Sequence, residues 1–447
     1  MRVTDMTSGN PLKLILLFAI PTLIGNLFQQ IYSIVDTMIA GYNLGDSAIA
    51  AIGATSSLWA LIIDLAWGMN AGFALVVTRA FGSHDDGAVR KAIAGTMILD
   101  AVVTTALTII SIVFLEPLMH LMNIPESVFE DAHAYIFILC AGMIATIAYN
   151  MFASLLRSFG NSVVPLYFLI FSSISNIILD LLFVGPLGMG VAGAALATVI
   201  SEILSAILSG VYFVSKYRQI VPTKEDFLKS TSLFGQLSSN GFAMAFMYSV
   251  VNLGSVFFQG ANNQLAEVLG ENIITAHTAA RRLISIMMTP LGTITGSAAT
   301  YIGQNYGAGN KKRIREGLRV EILLATGWSI FACVLIYLFG RQMVGFTTGS
   351  NDAEVLKNAV LSLRLHLPFY PALGVLLALR TAMQAVNIKT PTVVSSSIEL
   401  GMKIAAAALL IPRLGYLGTC VTEPITWMIC ACFLSVVYMK KRQALIA

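Results

Sequence analysis

The dominant pattern in this chain is a series of apolar runs. A helix that crosses a bilayer needs about 20 predominantly apolar residues. Six runs of that length come first, at 12–41, 48–78, 93–114, 132–156, 163–184 and 190–214. A charged segment from Lys216 to Lys229 follows, and six more runs come at 234–260, 273–302, 318–340, 358–385, 391–411 and 415–438. The pattern predicts an all-α membrane protein with twelve transmembrane helices.

Composition agrees with this architecture and excludes several other classes of protein. Of 447 residues, 57% are hydrophobic and 11% are charged, whereas soluble domains carry about 25% charged residues. The five cysteines lie in apolar runs without metal-ligand spacing, which favours buried reduced thiols. The chain has no Gly-Lys dipeptide and therefore no P-loop, and it has no HExxH motif. We expect no cofactor, no enzymatic activity and no nucleic-acid partner.

The basic residues between the runs predict the orientation of the protein. They concentrate in alternate connections, for example at Lys311-Lys312-Arg313, and after the last run at Lys440-Lys441-Arg442. Cytoplasmic loops carry the excess of lysine and arginine. We therefore expect a multi-pass protein of the cytoplasmic (inner) membrane with both termini in the cytoplasm.

The two halves of the chain repeat one another. Leu44-Gly45-Asp46 recurs 225 residues later as Leu269-Gly270-Glu271, and Gly190-x-x-Gly193 recurs at the same offset as Gly415-x-x-Gly418. Because each repeat holds six spans, an even number, both halves should insert with the same orientation. The prediction is two pseudo-symmetric six-helix lobes, at 1–215 and 233–447, joined by a cytoplasmic linker at 216–232.

The first run carries a polar stripe. Asn26, Gln29, Ser33 and Asp36 are spaced three, four and three apart, which places them on one face of a helix. An acid inside a membrane span costs several kcal/mol unless it faces a partner or a water-filled cavity. We predict that the stripe lines a transport pathway and that Asp36 binds a coupling ion. Pro21, in the same run, is either a bending switch or a fixed kink.

Other spans offer partners for Asp36. Asp180 follows Asn176 by four residues, and a rise of 1.5 Å per residue places Asp36, Asp180 and Thr198 in the outer half of the membrane. A polar cluster between the first, fifth and sixth spans is therefore geometrically allowed, with Glu202 one turn from Thr198. The alternative role for this cluster is a hydrogen-bonded clamp between helices.

The second half repeats the stripe without its acid. Its positions are Asn252, Ser255, Gln259 and Asn262, and Asn262 stands where Asp36 would be. Ion coupling is therefore expected in the amino-terminal lobe only. Glu399 and Lys403, four residues apart on one helix, are expected to neutralise each other.

Several of these motifs together resemble the multidrug and toxic compound extrusion (MATE) transporters. They are Ile20-Pro21, the stretch from Gln29 through Asp36-Thr37, and Gly41 with Leu44-Gly45. The resemblance implies a V-shaped pair of six-helix lobes around a central cavity. It also implies that Asp36, Asn176, Asp180 and Thr198 match the amino-lobe cation site of the DinF-like branch, and that Pro21 matches its bending proline.

The expected function is secondary active antiport, in which cationic or amphiphilic small molecules are exported in exchange for H⁺ or Na⁺. The sequence does not distinguish between these two coupling ions. Na⁺ would lie at Asp36 and Asp180. We expect the transporter to act as a monomer in the lipid bilayer. The alternatives are a flippase of the same superfamily for lipids or lipid-linked oligosaccharides, and an intramembrane enzyme. The candidates for lining the cavity and contacting substrate are Asn26, Gln29, Ser33, Glu202, Asn252, Ser255, Gln259 and Asn262.

Overall fold

The computed structural model describes residues 5–270, 272–349 and 352–446, and over these ranges it contains helices and no strand. Within them, the first half of the chain forms α1 (Pro11–Leu44), α2 (Asp46–Gly82), α3 (Asp86–Val113), α4 (Leu115–Leu121), α5 (Glu126–Ala141), α6 (Met143–Ser158), α7 (Val163–Val184) and α8 (Gly190–Lys216). The linker contains α9 (Lys224–Lys229). The second half forms α10 (Phe234–Leu269), α11 (Asn272–Gly307), α12 (Lys311–Thr348), α13 (Ala353–His366), α14 (Tyr370–Ala385), α15 (Thr390–Ala405), α16 (Ile411–Leu414) and α17 (Tyr416–Ile446).

The helices account for the predicted spans. Ten described spans are long and apolar enough to cross a membrane when α13 with α14, and α15 with α16, each count as one. An eleventh consists of α5 and α6 together. The 36-residue α10 occupies the place of the seventh predicted run, and at 1.5 Å per residue it is longer than a bilayer core is thick. The all-α, multi-span architecture is confirmed.

The fourth predicted span differs in detail, because it is broken rather than continuous. The axes of α5 and α6 diverge by 46°, and Gly142 lies between the two helices. A Cβ atom at Gly142 would lie 2.4 Å from Cγ2 of Val199 on α8. Glycine therefore permits close packing against α8 at the position where the helix breaks.

The linker is a folded segment that docks on α3. Arg90 Nε donates to Asp226 Oδ2 at 3.1 Å, and Arg90 Nη1 donates to the Gln219 carbonyl at 3.1 Å. Thr223 and Asp226 form a reciprocal capping box at the start of α9. Burial of its charge opposes ionisation of Asp226, but the hydrogen bonds from Thr223 and the nearby Arg90 guanidinium prevail and lower the pKa of this carboxyl below its usual value.

Ile20–Ala245 makes up most of one compact unit. Its core lies between α2, α3, α6 and α8 and is rich in aromatic rings around the fully buried Phe159. The ring of Phe159 lies 5.1 Å from both Phe81 and Tyr217, measured between centroids. Within this unit α2 also approaches α10 closely, since a Cβ atom at Gly72 would lie 2.3 Å from the Asn240 carbonyl oxygen.

Met6–Ala19 and Phe246–Ala447 form the other compact unit. The amino-terminal segment is fastened there by hydrogen bonds to α11 and α12. The Met6 backbone N–H donates to Gln304 Oε1 at 3.0 Å, and its carbonyl accepts from Asn305 Nδ2 and Arg313 Nη2, each at 3.0 Å. Arg313 Nη1 also donates to the Gly9 carbonyl at 2.8 Å.

Two helices contribute to both units. The first turns of α1 belong to the second unit and the rest, from Ile20, to the first, whereas α10 belongs to the first unit up to Ala245 and to the second from Phe246. Ile20 and Phe246 are equivalent positions of the two repeats, because they are separated by the same offset as the two polar stripes. The lobe boundaries 1–215, 216–232 and 233–447 follow the sequence pattern and stay a prediction, since compactness groups the chain differently.

Candidate coupling-ion site

Three helices of the first unit bring the predicted coupling residues together. α1 carries Asp36, α7 carries Asn176 and Asp180 one turn apart, and α8 carries Thr198. Asn176 and Asp180 are buried, at 0% and 1% exposure, whereas Asp36 is half-buried. α7 and α8 are joined by a short turn, so the residues of these two helices face each other across an antiparallel pair.

Asn176 is the central hydrogen-bonding group of the site. An amide is oriented from its partners, with nitrogen towards acceptors and oxygen towards donors. In that orientation its nitrogen donates to Asp180 Oδ2 at 2.8 Å and to the Tyr32 hydroxyl at 2.9 Å. Its oxygen accepts from the Thr198 backbone N–H at 3.1 Å and from Thr198 Oγ1 at 3.3 Å. One side chain thus links α1, α7 and α8.

Asp36 and Asp180 form a carboxyl pair. Their side chains lie within interaction range of one another, and among the described residues Asp180 Oδ1 has no hydrogen-bond partner. A carboxylate only accepts hydrogen bonds, so a bond between two carboxyl groups requires a proton on one of them. Two carboxyl groups arranged in this way are able to share one proton.

Two tyrosines that the sequence analysis did not select belong to this cluster. Tyr32 accepts from Asn176 and interacts electrostatically with both Asp36 and Asp180. Tyr135 of α5 interacts with the same two carboxyl groups. Tyr32 could have been found, because it lies four residues before Asp36 on the same helix face. Tyr135 carries no local signal, because the carboxyl groups with which it interacts lie on other helices.

A small cavity extends from the cluster to Glu202. Its volume is about 60 Å³, and Gln29, Tyr32, Thr198 and Glu202 are among its lining residues. Thr146 Oγ1 donates to the Glu202 carboxylate. At about 30 Å³ for each molecule of liquid water, the cavity has room for roughly two waters. Glu202 therefore shares a polar space with Tyr32 and Thr198.

The remaining predicted stripe positions have other surroundings. Asn26 is half-buried and Ser33 is exposed, and neither lines this cavity. Gln259 is exposed on α10, while the side chains of Asn252, Ser255 and Asn262 lie outside the described residues. α1 continues as a helix through Pro21. The roles assigned to these residues stay predictions.

The second unit holds its own charged cluster. Lys403 Nζ lies 3.5 Å from Glu399 Oε1, as the four-residue spacing predicted, and Arg281 Nη1 donates to Glu423 Oε1 at 2.6 Å. Glu423 stands 225 residues after Thr198, the offset of the duplication. The repeat position of Thr198 therefore lies in an ion-pair network.

Glu321 is a buried acid that the sequence analysis passed over, although it lies in the apolar run 318–340. It is fully buried on α12 and accepts from Thr381 Oγ1 at 3.1 Å. Its Oε2 atom has no hydrogen-bond partner among the described residues. A buried acid whose second oxygen meets no donor is costly when ionised.

Comparison with known proteins identifies the family of this chain. The sequence model of the MatE family matches residues 21–182 and again residues 243–409. The chain belongs to the MatE family. The two separate matches fall one in each half, as expected for a duplicated transporter, and the family resemblance seen in the sequence is confirmed.

Individual relatives cover most of this MatE-family chain. It is 25% identical over 399 residues to the probable multidrug resistance protein YpnP of Bacillus subtilis, which covers 89% of this chain and 88% of the relative. It is 23% identical over 358 residues to DNA damage-inducible protein F of Escherichia coli, which covers 78% of this chain and 76% of the relative. A crystal structure described as MATE in the bent conformation shares its fold, with a TM-score of 0.89 at 22% identity over 100% of this chain and 98% of the other.

Proposed function

We propose that this chain is a proton-coupled antiporter that exports cationic or amphiphilic small molecules, and that Asp36 and Asp180 are its coupling groups. The observation that carries the proposal is the closely spaced carboxyl pair, with Asn176 hydrogen-bonded to Asp180. Membership of a transporter family supports the export function, and the names of its relatives support multidrug cargo.

The carboxyl pair supplies a physical switch. With one proton the two groups attract one another and hold α1 against α7. Without it, two carboxylates face each other in a poorly solvated site and repel. Loss of the proton therefore favours a different packing of α1, and a substrate that prefers that packing competes with the proton through the shared equilibrium.

The orientation assigned to Asn176 from its hydrogen-bond partners supports H⁺ rather than Na⁺ as the coupling ion. A hard cation such as Na⁺ prefers oxygen ligands, but the amide presents its nitrogen to Asp180 and Tyr32 and turns its oxygen to Thr198. Binding Na⁺ between Asp36 and Asp180 would require the amide to turn around, which gives up the bond from the Thr198 backbone N–H and leaves only a bond from the amide nitrogen to Thr198 Oγ1.

The setting of this transporter follows from the charge pattern and belongs to the same proposal. The lysine and arginine bias of the connections supports a cytoplasmic membrane location with both termini inside. The polar site lies within one compact unit, which supports a functional monomer.

The test is efflux of a fluorescent lipophilic cation from reconstituted vesicles, with pH and Na⁺ gradients imposed separately. We expect the pH gradient alone to drive efflux by the unmodified protein. Asp36→Asn should abolish this coupled efflux, because an amide cannot release the proton. Asp131→Asn is the matched control, since Asp131 is an exposed acid on α5, and it should transport normally.

Two results would contradict the proposal. Normal gradient-driven efflux by Asp36→Asn would exclude the carboxyl pair as the coupling site. Efflux driven at full rate by the Na⁺ gradient and not by the pH gradient would exclude the proton as the coupling ion.

A further inference from the structure

A cavity of about 170 Å³ in the second unit has one charged wall and one apolar wall. The charged wall carries Arg281, Arg380, Glu399, Lys403 and Glu423, contributed by α11, α14, α15 and α17. The apolar wall includes leucine side chains of α14 and the indole of Trp427. A space with these two walls suits a molecule that has a charged group at one end and an apolar body.

The ion pairs on the charged wall converge on two carboxylates. Glu399 Oε2 accepts from both terminal nitrogens of Arg380 at 3.2 Å. Glu423 Oε1 accepts from Arg281 at 2.6 Å. Lys403 lies between the two acids, with its Nζ 3.5 Å from Glu399 and 3.7 Å from Glu423. Both distances exceed a normal N–H···O hydrogen bond, so the ammonium group is incompletely satisfied by either acid.

The wall has more positive than negative charge. Among the described residues that line the cavity, one lysine and two arginines face two glutamates, which leaves one positive charge in excess. His366 Nε2 lies 3.5 Å from Glu423 Oε2, and His277 interacts with the same group of charges. Protonation of either histidine would only add to the excess. An uncompensated charge within a membrane protein is costly and marks a functional site.

A buried donor is also left over on this wall. Arg380 is 3% exposed, and its Nε–H has no hydrogen-bond partner among the described residues. Its two terminal nitrogens are held by Glu399 and Ser395, which fixes the plane of the guanidinium. A rigid, buried and partly unsatisfied arginine is a strong binder of carboxylates.

The backbone around Lys403 is shaped for its side chain. A Cβ atom at Gly254 of α10 would lie 2.6 Å from Lys403 Cδ. The lysine stem therefore passes directly across the bare backbone of α10, and the ammonium group is held at the cavity by packing as well as by charge.

We propose that this cavity binds the carboxylate of a small amphiphilic organic anion, whose apolar body lies against the leucines and Trp427. The ligand supplies the missing negative charge and accepts hydrogen bonds from Lys403 and Arg380. This inference adds a second cargo class to the proposed transport function and rests on it only for the movement of the ligand, not for its binding.

Binding of radiolabelled benzoate to purified protein in phosphatidylcholine nanodiscs tests the proposal. Benzoate suits the cavity, because a cavity of about 150 Å³ accommodates benzene. We expect saturable binding that neither benzyl alcohol nor benzylammonium displaces, since both lack the carboxylate. Discs that contain phosphatidylglycerol should bind benzoate equally well, whereas loss of binding there would assign the cavity to a lipid headgroup and overturn the proposal.

Two substitutions at buried residues, which change the net charge of the wall in opposite directions, distinguish a binding site from a structural ion network. Lys403→Gln removes the excess charge and should weaken benzoate binding at least tenfold. Glu399→Gln raises the excess and should retain or tighten binding. A purely structural network would lose binding in both variants, and that outcome, or equal binding by Lys403→Gln and the unmodified protein, would overturn the proposal. Elution as a single monodisperse peak confirms that each variant is folded.

The Asp36→Asn variant tests whether anion binding is independent of the proposed antiport. It should bind benzoate normally, because Asp36 belongs to the other compact unit. Failure of the antiport test with intact benzoate binding would refute only the coupling mechanism. Failure of benzoate binding with intact efflux would refute only the anion site.

Discussion

The close approach of α2 and α10 gives a quantitative prediction. Gly72→Ala would place a methyl group 2.3 Å from the Asn240 carbonyl oxygen and 2.6 Å from the Gly241 Cα, whereas ordinary contacts begin at 3.4 Å. All the near atoms belong to backbone, so no side chain can turn aside. One of the two helices would have to shift by about 1 Å.

Such overpacking typically costs about 1–3 kcal/mol. Alanine is favoured over glycine within a helix by about 1 kcal/mol, which offsets part of that cost. Gly53→Ala is the matched control, because it makes the same substitution on the same helix with no atom within 4 Å. The two variants should therefore differ by about 1–3 kcal/mol in the free energy of unfolding, with Gly72→Ala the less stable.

The assay is thermal unfolding of both purified variants and of the unmodified protein in one detergent. The midpoint should fall for Gly72→Ala and stay level or rise slightly for Gly53→Ala. Equal midpoints for the two variants would refute the inference that backbone contact limits the spacing of α2 and α10.

Three further predictions test other parts of the structure. Arg313→Gln removes two hydrogen bonds to the amino-terminal segment, one of them to Met6, and should expose that segment to limited proteolysis while the rest of the chain stays resistant. Asp226 has a pKa below its usual value in the folded state. Its contribution to stability is therefore present above the unfolded pKa of about 4 and is lost as pH falls through the folded value. The Asp226→Asn variant should be less stable than the unmodified protein at pH 7, and its stability should depend less on pH in the acid range. Tyr32→Phe removes the hydroxyl that accepts a hydrogen bond from Asn176, and the loss of about 1 kcal/mol should slow coupled efflux several-fold. Tyr42 lies on the same helix and is 85% exposed, so the control variant Tyr42→Phe should transport normally.

Much of the fold could be predicted from the sequence because its signals are local. Twelve apolar runs, their lengths and their duplication are properties of short stretches of chain, and the bilayer imposes a minimum length on each helix. The break at Gly142 escaped prediction, since it depends on how closely Val199 of another helix approaches. The attachment of Met6 to α11 and α12 escaped for the same reason.

In the candidate site, too, local features could be predicted from the sequence and contacts between helices could not. By itself, the sequence determined that Asp36 is an acid on the polar face of a membrane helix and that its repeat position, Asn262, is not an acid. The depth estimate from the sequence allowed Asp180 as a partner of Asp36, but only the tertiary structure placed these two side chains together and added Tyr135. It also decided that Lys403 lies between two acids rather than beside one. Helical periodicity specifies which residues share a face, but helix rotation and depth, set by packing, decide which faces meet.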